Sequence, residues 1–163
     1  MPSLLPASFH RALLPLAHRL RHRWRQWRKA PIAGVSVIVT NLGGDVLLLK
    51  HSYGPDVWSL PSGGLGRGED PLVAARREVR EELGIDLARI EAIGTLEEVL
   101  SGSPHTAHLF AATCDQRPQP DGREVVEARF FPSHSLPEPL GRTTRARIAA
   151  WRARGAEIGV KAG

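Results

Sequence analysis

The sequence predicts an α/β fold in which a mixed β-sheet lies between two helices. Residues 32–40 form a β-branched, mostly apolar run, which is typical of a strand buried on both faces. Further extended apolar segments follow, and residues 70–83 and 142–153 have helical character. A sheet with one helix on each face would bury the apolar side of all these segments.

The length and composition are those of one ordinary domain. The chain has 163 residues, of which 42% are apolar and 24% charged, and domains most often contain about 100 to 150 residues. No segment approaches the roughly 20 consecutive apolar residues of a membrane-spanning helix. We predict a basic amphipathic N-terminal helical extension at residues 1–30, a folded domain at residues 31–156 and a C-terminal tail at residues 157–163.

Positive charge is concentrated near the N-terminus. The net charge is +5, but residues 1–44 contain no Asp or Glu and carry 7 of the 22 basic residues, which leaves 15 basic and 17 acidic residues after them. The domain is therefore slightly acidic and is not a general polyanion binder. Residues 1–30 could pack on the domain or on the twin subunit of a homodimer, lie on an anionic membrane surface, contact nucleic acid, or serve as an organellar transit peptide. Nucleic acid and membrane are therefore not predicted as partners, and weak binding of residues 1–30 to anionic surfaces stays an open alternative.

Cys114 is the only cysteine, so the chain cannot form an internal disulfide bond. A reducing compartment is compatible with this, and we predict a cytoplasmic location. We expect the Cys114 side chain to be buried as a small apolar group.

Local signals predict the remaining elements in order. Residues 41–44 form a turn, and residues 45–51 form a second strand that should pair with residues 32–40 as a hairpin. A short extended piece at residues 58–60 ends at Pro61. Further strands are predicted at residues 90–100, 106–113 and 124–131, with a turn at residues 101–104.

The predicted helix at residues 70–83 carries a cluster of carboxylates. If it begins near Asp70, then Glu78, Glu81 and Glu82 stand at positions i, i+3 and i+4 and share one face. These like charges repel one another, and they lie shortly before Gly84, where the helix dipole disfavours anions. A solvated surface helix would instead gain by alternating the sign of its charges. The cluster therefore favours a divalent cation, and oxygen-only ligands indicate Mg²⁺ or Mn²⁺.

Residues 63–85 resemble the box of the Nudix hydrolase family, Gly-x5-Glu-x7-Arg-Glu-U-x-Glu-Glu-x-Gly-U, where U is an aliphatic residue. Every fixed position is matched without a gap, which makes the signal specific. The matching residues are Gly63, Glu69, Arg77, Glu78, Val79, Glu81, Glu82, Gly84 and Ile85. The resemblance implies a Nudix-like α/β/α sandwich with a mixed central sheet, and it assigns residues 31–156 to a Nudix hydrolase domain.

The resemblance also implies a ligand set for the metal ion. The carbonyl of Gly63 would join Glu78 and Glu82 as metal ligands, and Glu81 would complete the set or act as the base. Glycines in this loop let the backbone approach a phosphate closely. One departure from the common pattern is Ser62, which stands where a glycine often precedes the box.

Two further charged residues are predicted to assist Glu78 and Glu81 in catalysis. The guanidinium fork of Arg77 can hold a carboxylate in place, so we interpret Arg77 as an orienting residue. The family usually takes a further acid from a later loop, for which Glu124 is favoured over Glu127; a solvated strand-end acid is an equally good interpretation.

Four residues are predicted to contact the substrate. A fifth residue is predicted to support the metal ligands without contacting the metal ion. His51 and Tyr53 could line the cleft, because imidazole and aromatic rings stack on bases and bind phosphates, although each could equally be a core or surface residue. Gly64 and Arg67 belong to the loop predicted to face the phosphates. Glu69 could simply cap the helix, and the resemblance adds a partnership with Arg77.

We predict metal-dependent hydrolysis of a phosphoanhydride bond in a nucleoside diphosphate linked to another moiety, as in ADP-ribose, or in a nucleoside triphosphate. The alternative is a non-catalytic Nudix module that senses a nucleotide and acts through a partner. The intact set of Glu78, Glu81 and Glu82 favours the enzyme, because adjacent carboxylates are costly to keep without a metal ion.

Overall fold

Six strands and two helices make up the part of the chain that the computed structural model describes, residues 32–161, with side chains for residues 33–156. The strands are β1 (Ile32–Thr40), β2 (Val46–His51), β3 (Ser62–Gly64), β4 (Glu91–Leu100), β5 (Ser103–Thr113) and β6 (Val125–Phe131). The helices are α1 (Pro71–Leu83) and α2 (Arg142–Lys161). The predicted N-terminal helical extension, residues 1–30, lies outside the described residues.

The strands form one mixed sheet in the order β4-β5-β1-β2-β6, with β3 also paired to β1. Strand β1 runs parallel to β5 and antiparallel to β2 and β3. One apolar cluster joins the sheet to α1 through Ala74, Ala75, Val79 and Leu83, and it includes Cys114. A second cluster joins the opposite face to α2 through Ile148. The predicted α/β/α sandwich with a mixed central sheet is confirmed, as is the burial of Cys114.

The predicted hairpin between the first two strands is present, but their pairing is confined to the turn end of the hairpin. Their register contains a single pair, Thr40 with Val46. The N-terminal half of β1 pairs instead with β3, where Gly34 lies opposite Gly64. The chain returns to the sheet after β2, and this return brings the glycine loop against β1. Sequence reasoning missed β3, because Ser-Gly-Gly has little intrinsic preference for a strand.

Local signals define both ends of α1. Asp70 is the N-cap, and its Oδ1 accepts the N–H groups of Leu72 (2.8 Å) and Val73 (3.2 Å). Pro71 occupies the first turn, where its missing N–H costs nothing. Gly84 ends the helix in the left-handed conformation with φ 66°, and its N–H bonds to the Arg80 carbonyl.

Two other boundaries differ from the predictions. The turn between β4 and β5 is confined to Ser101 and Gly102, both at positive φ, so β5 begins at Ser103. Helix α2 continues to Lys161, past the predicted helix end at residue 153 and past the predicted domain end at residue 156. The domain boundaries themselves stay predictions. Neither described helix is both long and apolar enough to cross a bilayer.

Candidate active site

Glu78 packs directly against β3. Its carboxylate lies so close to Gly63 that a Cβ added at residue 63 would overlap the carboxyl carbon and both oxygens. Only a residue without a side chain fits there. The Glu78 side chain is 14% exposed. Burial raises the pKa of Glu78, and the hydrogen bond from Arg77 opposes that rise.

Glu82 is the most deeply buried of the three clustered acids, with 6% of its surface exposed. Its Oε2 accepts the N–H of Ser62 at 3.3 Å. Burial, followed by the negative charge of Glu78, raises the pKa of Glu82 well above its usual range. Two carboxylates are therefore held side by side with little solvent, an arrangement that a bound cation would relieve.

Arg77 connects the carboxylates to the glycine loop. Its Nε and Nη2 donate to the two oxygens of Glu69 at 2.8 and 3.0 Å. Its Nη1 donates to Glu78 at 2.6 Å and to Glu81 at 3.4 Å. Its Nη2 also reaches the carbonyl of Gly64 at 3.3 Å. Such a planar fork with several fixed acceptors orients the carboxylates that it touches.

Glu69 does not cap α1, because Asp70 has that role. Glu69 accepts the N–H of Gly66 at 2.8 Å as well as the two donors of Arg77. The hydrogen bonds from Arg77 lower the pKa of Glu69 to about 2. The contact with Arg77 that the resemblance implies is therefore present, and it closes the glycine loop onto the helix. Its role in supporting the metal ligands stays a prediction.

The carbonyl of Gly63 is engaged by β1. Ladder bonds on either side, donated by the N–H groups of Val37 and Leu65, put Gly63 opposite Val35. In an antiparallel ladder with this spacing, Gly63 and Val35 are a hydrogen-bonded pair. The Gly63 carbonyl therefore accepts the N–H of Val35, in contrast to the metal contact that the resemblance implies for it.

The carbonyls of Ser62 and Gly64 point the opposite way, because alternate residues of a strand face opposite neighbours. The Gly64 carbonyl accepts an N–H of Arg77. The Ser62 carbonyl lies next to the N–H that binds Glu82. Sequence reasoning missed this possible ligand, since the direction of a carbonyl depends on the register between β3 and β1.

The structure distinguishes between the two candidate acids that follow residues 63–85, which are Glu124 and Glu127. Glu124 lies in the loop before β6, and its charge contributes to raising the pKa of both Glu78 and Glu82. Asp121 shapes this loop by accepting three successive N–H groups, including that of Glu124 at 3.0 Å. Glu127 lies within β6 and forms an ion pair with Arg129 on the same strand. Glu124 is therefore the acid that acts electrostatically on the cluster.

The predicted substrate residues lie at the ends of β2 and β3 and in the segments that follow these strands. The rings of His51 and Tyr53 are 5.3 Å apart, with an angle of 32° between their planes. Ser52, between them, donates its N–H to the Glu124 carbonyl at 2.9 Å. The aromatic pair and the Glu124 loop are therefore neighbours. Arg67 is exposed in the turn of the glycine loop, and its contact with substrate stays a prediction.

The donor groups fit a hard divalent cation. They are all oxygens, one carboxylate rests on a bare Cα, and another is buried beside it. Across residues 33–156, no three Asp, Glu, His or Cys side chains converge on one point. The carboxylates thus share one face of α1 without forming a closed set of ligands.

The α/β/α sandwich, with acids clustered on a helix beside a glycine loop, defines a class of proteins. Comparison with known proteins identifies this class. The family model described as the NUDIX domain matches residues 30–152, so the chain belongs to the Nudix family. Nudix enzymes generally use divalent metal ions.

Similar proteins include enzymes with named activities. The chain is 41% identical over 51 residues to an RNA pyrophosphohydrolase of Rhodospirillum rubrum, covering 31% of each protein. It is 41% identical over 97 residues to Nudix hydrolase 26, chloroplastic, of Arabidopsis thaliana, covering 59% of this chain and 37% of that protein. The chain thus matches about a third of the length of these relatives. A crystal structure of a MutT NUDIX hydrolase from Burkholderia pseudomallei has a TM-score of 0.67 and 26% identity, covering 74% of this chain and 98% of that one.

Proposed function

We propose that this protein is a pyrophosphohydrolase that cleaves a phosphoanhydride bond in a nucleotide with the help of Mg²⁺ or Mn²⁺. The observation that carries the proposal is the seating of Glu78 on the bare Cα of Gly63, with Glu82 buried beside it. Burying two carboxylates together is costly unless a positive charge joins them. Hard oxygen donors favour Mg²⁺ or Mn²⁺ in that position.

Each residue of the site has a distinct part in the proposed reaction. Glu78 and Glu82 hold the ion, which supplies charge neutralisation for the phosphate oxygens. We favour the Ser62 carbonyl over that of Gly63 as the main-chain ligand, because the Gly63 carbonyl is engaged by β1. Glu81 is 61% exposed, so it can complete the ligand set or accept a proton from the attacking water.

Arg77 and Glu124 complete the proposed catalytic group. Arg77 holds Glu78 and Glu81 in orientation through its hydrogen bonds. Glu124 adds negative charge next to Glu78 and Glu82, which strengthens the attraction for a cation. Phosphoryl transfer depends mainly on such positioning and charge stabilisation.

The substrate class follows from the surroundings of the acids. We propose a nucleoside diphosphate linked to another moiety, or a nucleoside triphosphate, with the phosphates near Gly64 and Arg67. The paired rings of His51 and Tyr53 present apolar faces on which a base can stack. We also propose a cytoplasmic location and a homodimer.

A second candidate substrate is a phosphoanhydride carried by RNA. Several of the similar proteins are named RNA pyrophosphohydrolase, which favours this substrate. The basic composition of residues 1–30 also suits an anionic polymer. Both substrates require the same bond cleavage, so they differ in the recognised group and not in the chemistry.

A substrate screen tests the proposal. The purified chain is incubated with ADP-ribose, nucleoside triphosphates and 5′-triphosphorylated RNA, with Mg²⁺, with Mn²⁺ or with EDTA. We expect release of a phosphorylated product that EDTA abolishes and added Mg²⁺ restores. Tight nucleotide binding without product over hours would instead favour the non-catalytic sensor.

Replacing Arg77 by lysine tests its orienting role. An ammonium group cannot form the two-pronged pair with Glu69 and also contact Glu78 and Glu81. We expect Arg77→Lys to lower kcat by about 10- to 100-fold, as loss of a partner of metal ligands does. The control is Arg80→Lys on the same helix, where the exposed side chain pairs with Asp86. Equal kcat for the two variants would rule out this role.

Glu124 and Glu127 provide a matched pair of substitutions. Glu124→Gln removes a charge that acts on Glu78 and Glu82, so we expect weaker metal affinity and slower hydrolysis. Glu127→Gln removes an equal charge whose partner is Arg129, and activity should be unchanged. The half-saturating Mg²⁺ concentration of each variant is the measurement. If the two variants respond alike, the assignment of Glu124 is wrong.

A further inference from the structure

Three charged or titratable side chains meet on the face of the sheet that carries α2, opposite the carboxylate cluster. Glu98 of β4, His105 of β5 and Arg147 of α2 are 11%, 7% and 9% exposed. His105 Nδ1 lies 3.0 Å from Glu98 Oε1, and Arg147 Nη2 contacts the same oxygen. Because a carboxylate oxygen can only accept, Nδ1 carries the proton of this hydrogen bond.

This cluster is poorly explained as a source of stability. A buried ion pair often contributes no more than apolar residues of the same volume would. In addition, the Nε of Arg147 is buried without a hydrogen-bond partner within residues 33–156, which costs free energy. What the cluster does supply is a fixed position for His105, because Glu98 binds the ring while Arg147 binds Glu98.

The ring of His105 is aimed at the strands below the active site. Its Nε2 lies 3.0 Å from the point that a Cβ on Gly34 would occupy. The carbonyl of Gly63 lies 2.8 Å from that same point. The ring and the β3 backbone therefore both pack closely around Gly34, where no side chain separates them. On the other side of the sheet, the carboxylate of Glu78 packs against the Cα of Gly63.

We infer that His105 is a positioning residue for the active site, acting through Gly34 and β3. The ring supports the sheet on the α2 side at the place where β3 pairs with β1. Glu98 and Arg147 keep it there, so that Gly63 stays in contact with Glu78. The inference rests on the proposed function for its effect on metal binding, but its effect on β3 can be measured without any metal.

Hydrogen exchange measures the effect on β3 directly. In His105→Ala we expect the amide hydrogens of residues 63 and 65 to exchange at least several-fold faster, while those of β2 keep their rates. His134→Ala is the control, because it makes the same chemical change at an exposed position in the turn after β6, outside the sheet. Equal acceleration throughout the sheet would mean general destabilisation and would overturn the positioning role, as would no acceleration at all.

Gly34→Ala is a second variant, and it changes the same contact between the His105 ring and the β3 backbone by adding a methyl group at Gly34. A methyl group there would be too close to both the Gly63 carbonyl and the His105 ring, so β3 must shift. We expect the same localised acceleration of β3 amides as in His105→Ala. If neither variant folds, His105 and Gly34 serve stability alone and the proposal fails.

Titration with Mn²⁺, followed by the loss of its free electron paramagnetic resonance signal, measures the consequence at the site. We expect His105→Ala to weaken Mn²⁺ binding by about tenfold, in the range found for outer partners of metal ligands. His134→Ala should bind as the wild type does. Wild-type protein that binds no Mn²⁺ would contradict the proposed function, whereas equal affinity of wild type and His105→Ala would overturn only the positioning role.

Discussion

Glu82→Gln should slow hydrolysis severely while leaving the folded protein at least as stable as the wild type. An amide oxygen is a weak ligand for a hard cation, so the variant loses most of the charge that holds the ion. A bound metal ion contributes several kcal/mol to such reactions, and each 1.36 kcal/mol is a factor of ten in rate. We therefore expect kcat to fall by about 1,000-fold.

The stability of the fold should not fall together with activity, because the buried carboxylate of Glu82 destabilises the folded protein. Its carboxylate is buried next to that of Glu78, and burial and this neighbour both oppose its ionisation. Glutamine has nearly the same shape, and its side-chain oxygen can still accept the N–H of Ser62. Removing one of two buried like charges is stabilising or neutral.

The same substitution at Glu91 is the control. Glu91 is 71% exposed at the start of β4, and its nearest cation, on Arg154, is 3.8 Å away. Glu91→Gln should change neither kcat nor the free energy of unfolding in urea. A Glu82→Gln variant with full activity would refute the proposed site, and a strongly destabilised one would contradict the account of its burial.

The sequence predicted the elements whose signals are local. The bounds of β1 follow from a mostly apolar run rich in β-branched residues, and those of α1 from Asp70 before it and Gly84 after it. The shared face of Glu78, Glu81 and Glu82 is equally local, since helical spacing alone determines it. These features needed no knowledge of distant parts of the chain.

The sequence did not predict features that depend on which strands meet. β3 is a strand only because β1 is beside it, and the parallel pairing of β1 with β5 joins residues about 70 positions apart, as Thr40 with Thr113. The direction of the Gly63 carbonyl is a consequence of the register between β3 and β1. The choice between Glu124 and Glu127 likewise depends on a loop that Asp121 shapes.

Gly63→Ala should damage both stability and activity. The added methyl group would overlap the Glu78 carboxylate, so either β3 or the glutamate must move. Overpacking of this kind costs about 1 to 3 kcal/mol in the free energy of unfolding. Displacing Glu78 also separates it from Arg77 and Glu82, so we expect hydrolysis to fall as well.

Gly155→Ala is the control for the substitution itself. Gly155 lies in α2, and a Cβ there would meet nothing within 4 Å. Alanine in a helix is favoured over glycine by roughly 1 kcal/mol, so this variant should be somewhat more stable and fully active. The same chemical change is thus expected to have opposite effects on stability at the two positions.

A double-mutant cycle identifies the collision as the cause. If the methyl group at residue 63 is costly because it meets Glu78, then Gly63→Ala combined with Glu78→Ala should recover much of the stability lost in Gly63→Ala alone. Activity should stay absent in the double variant, since a metal ligand is missing. Urea unfolding and the hydrolysis assay measure the two effects separately. Simple additivity of the two stability changes would show that Gly63 and Glu78 do not interact, and the packing that supports the proposed site would then be wrong.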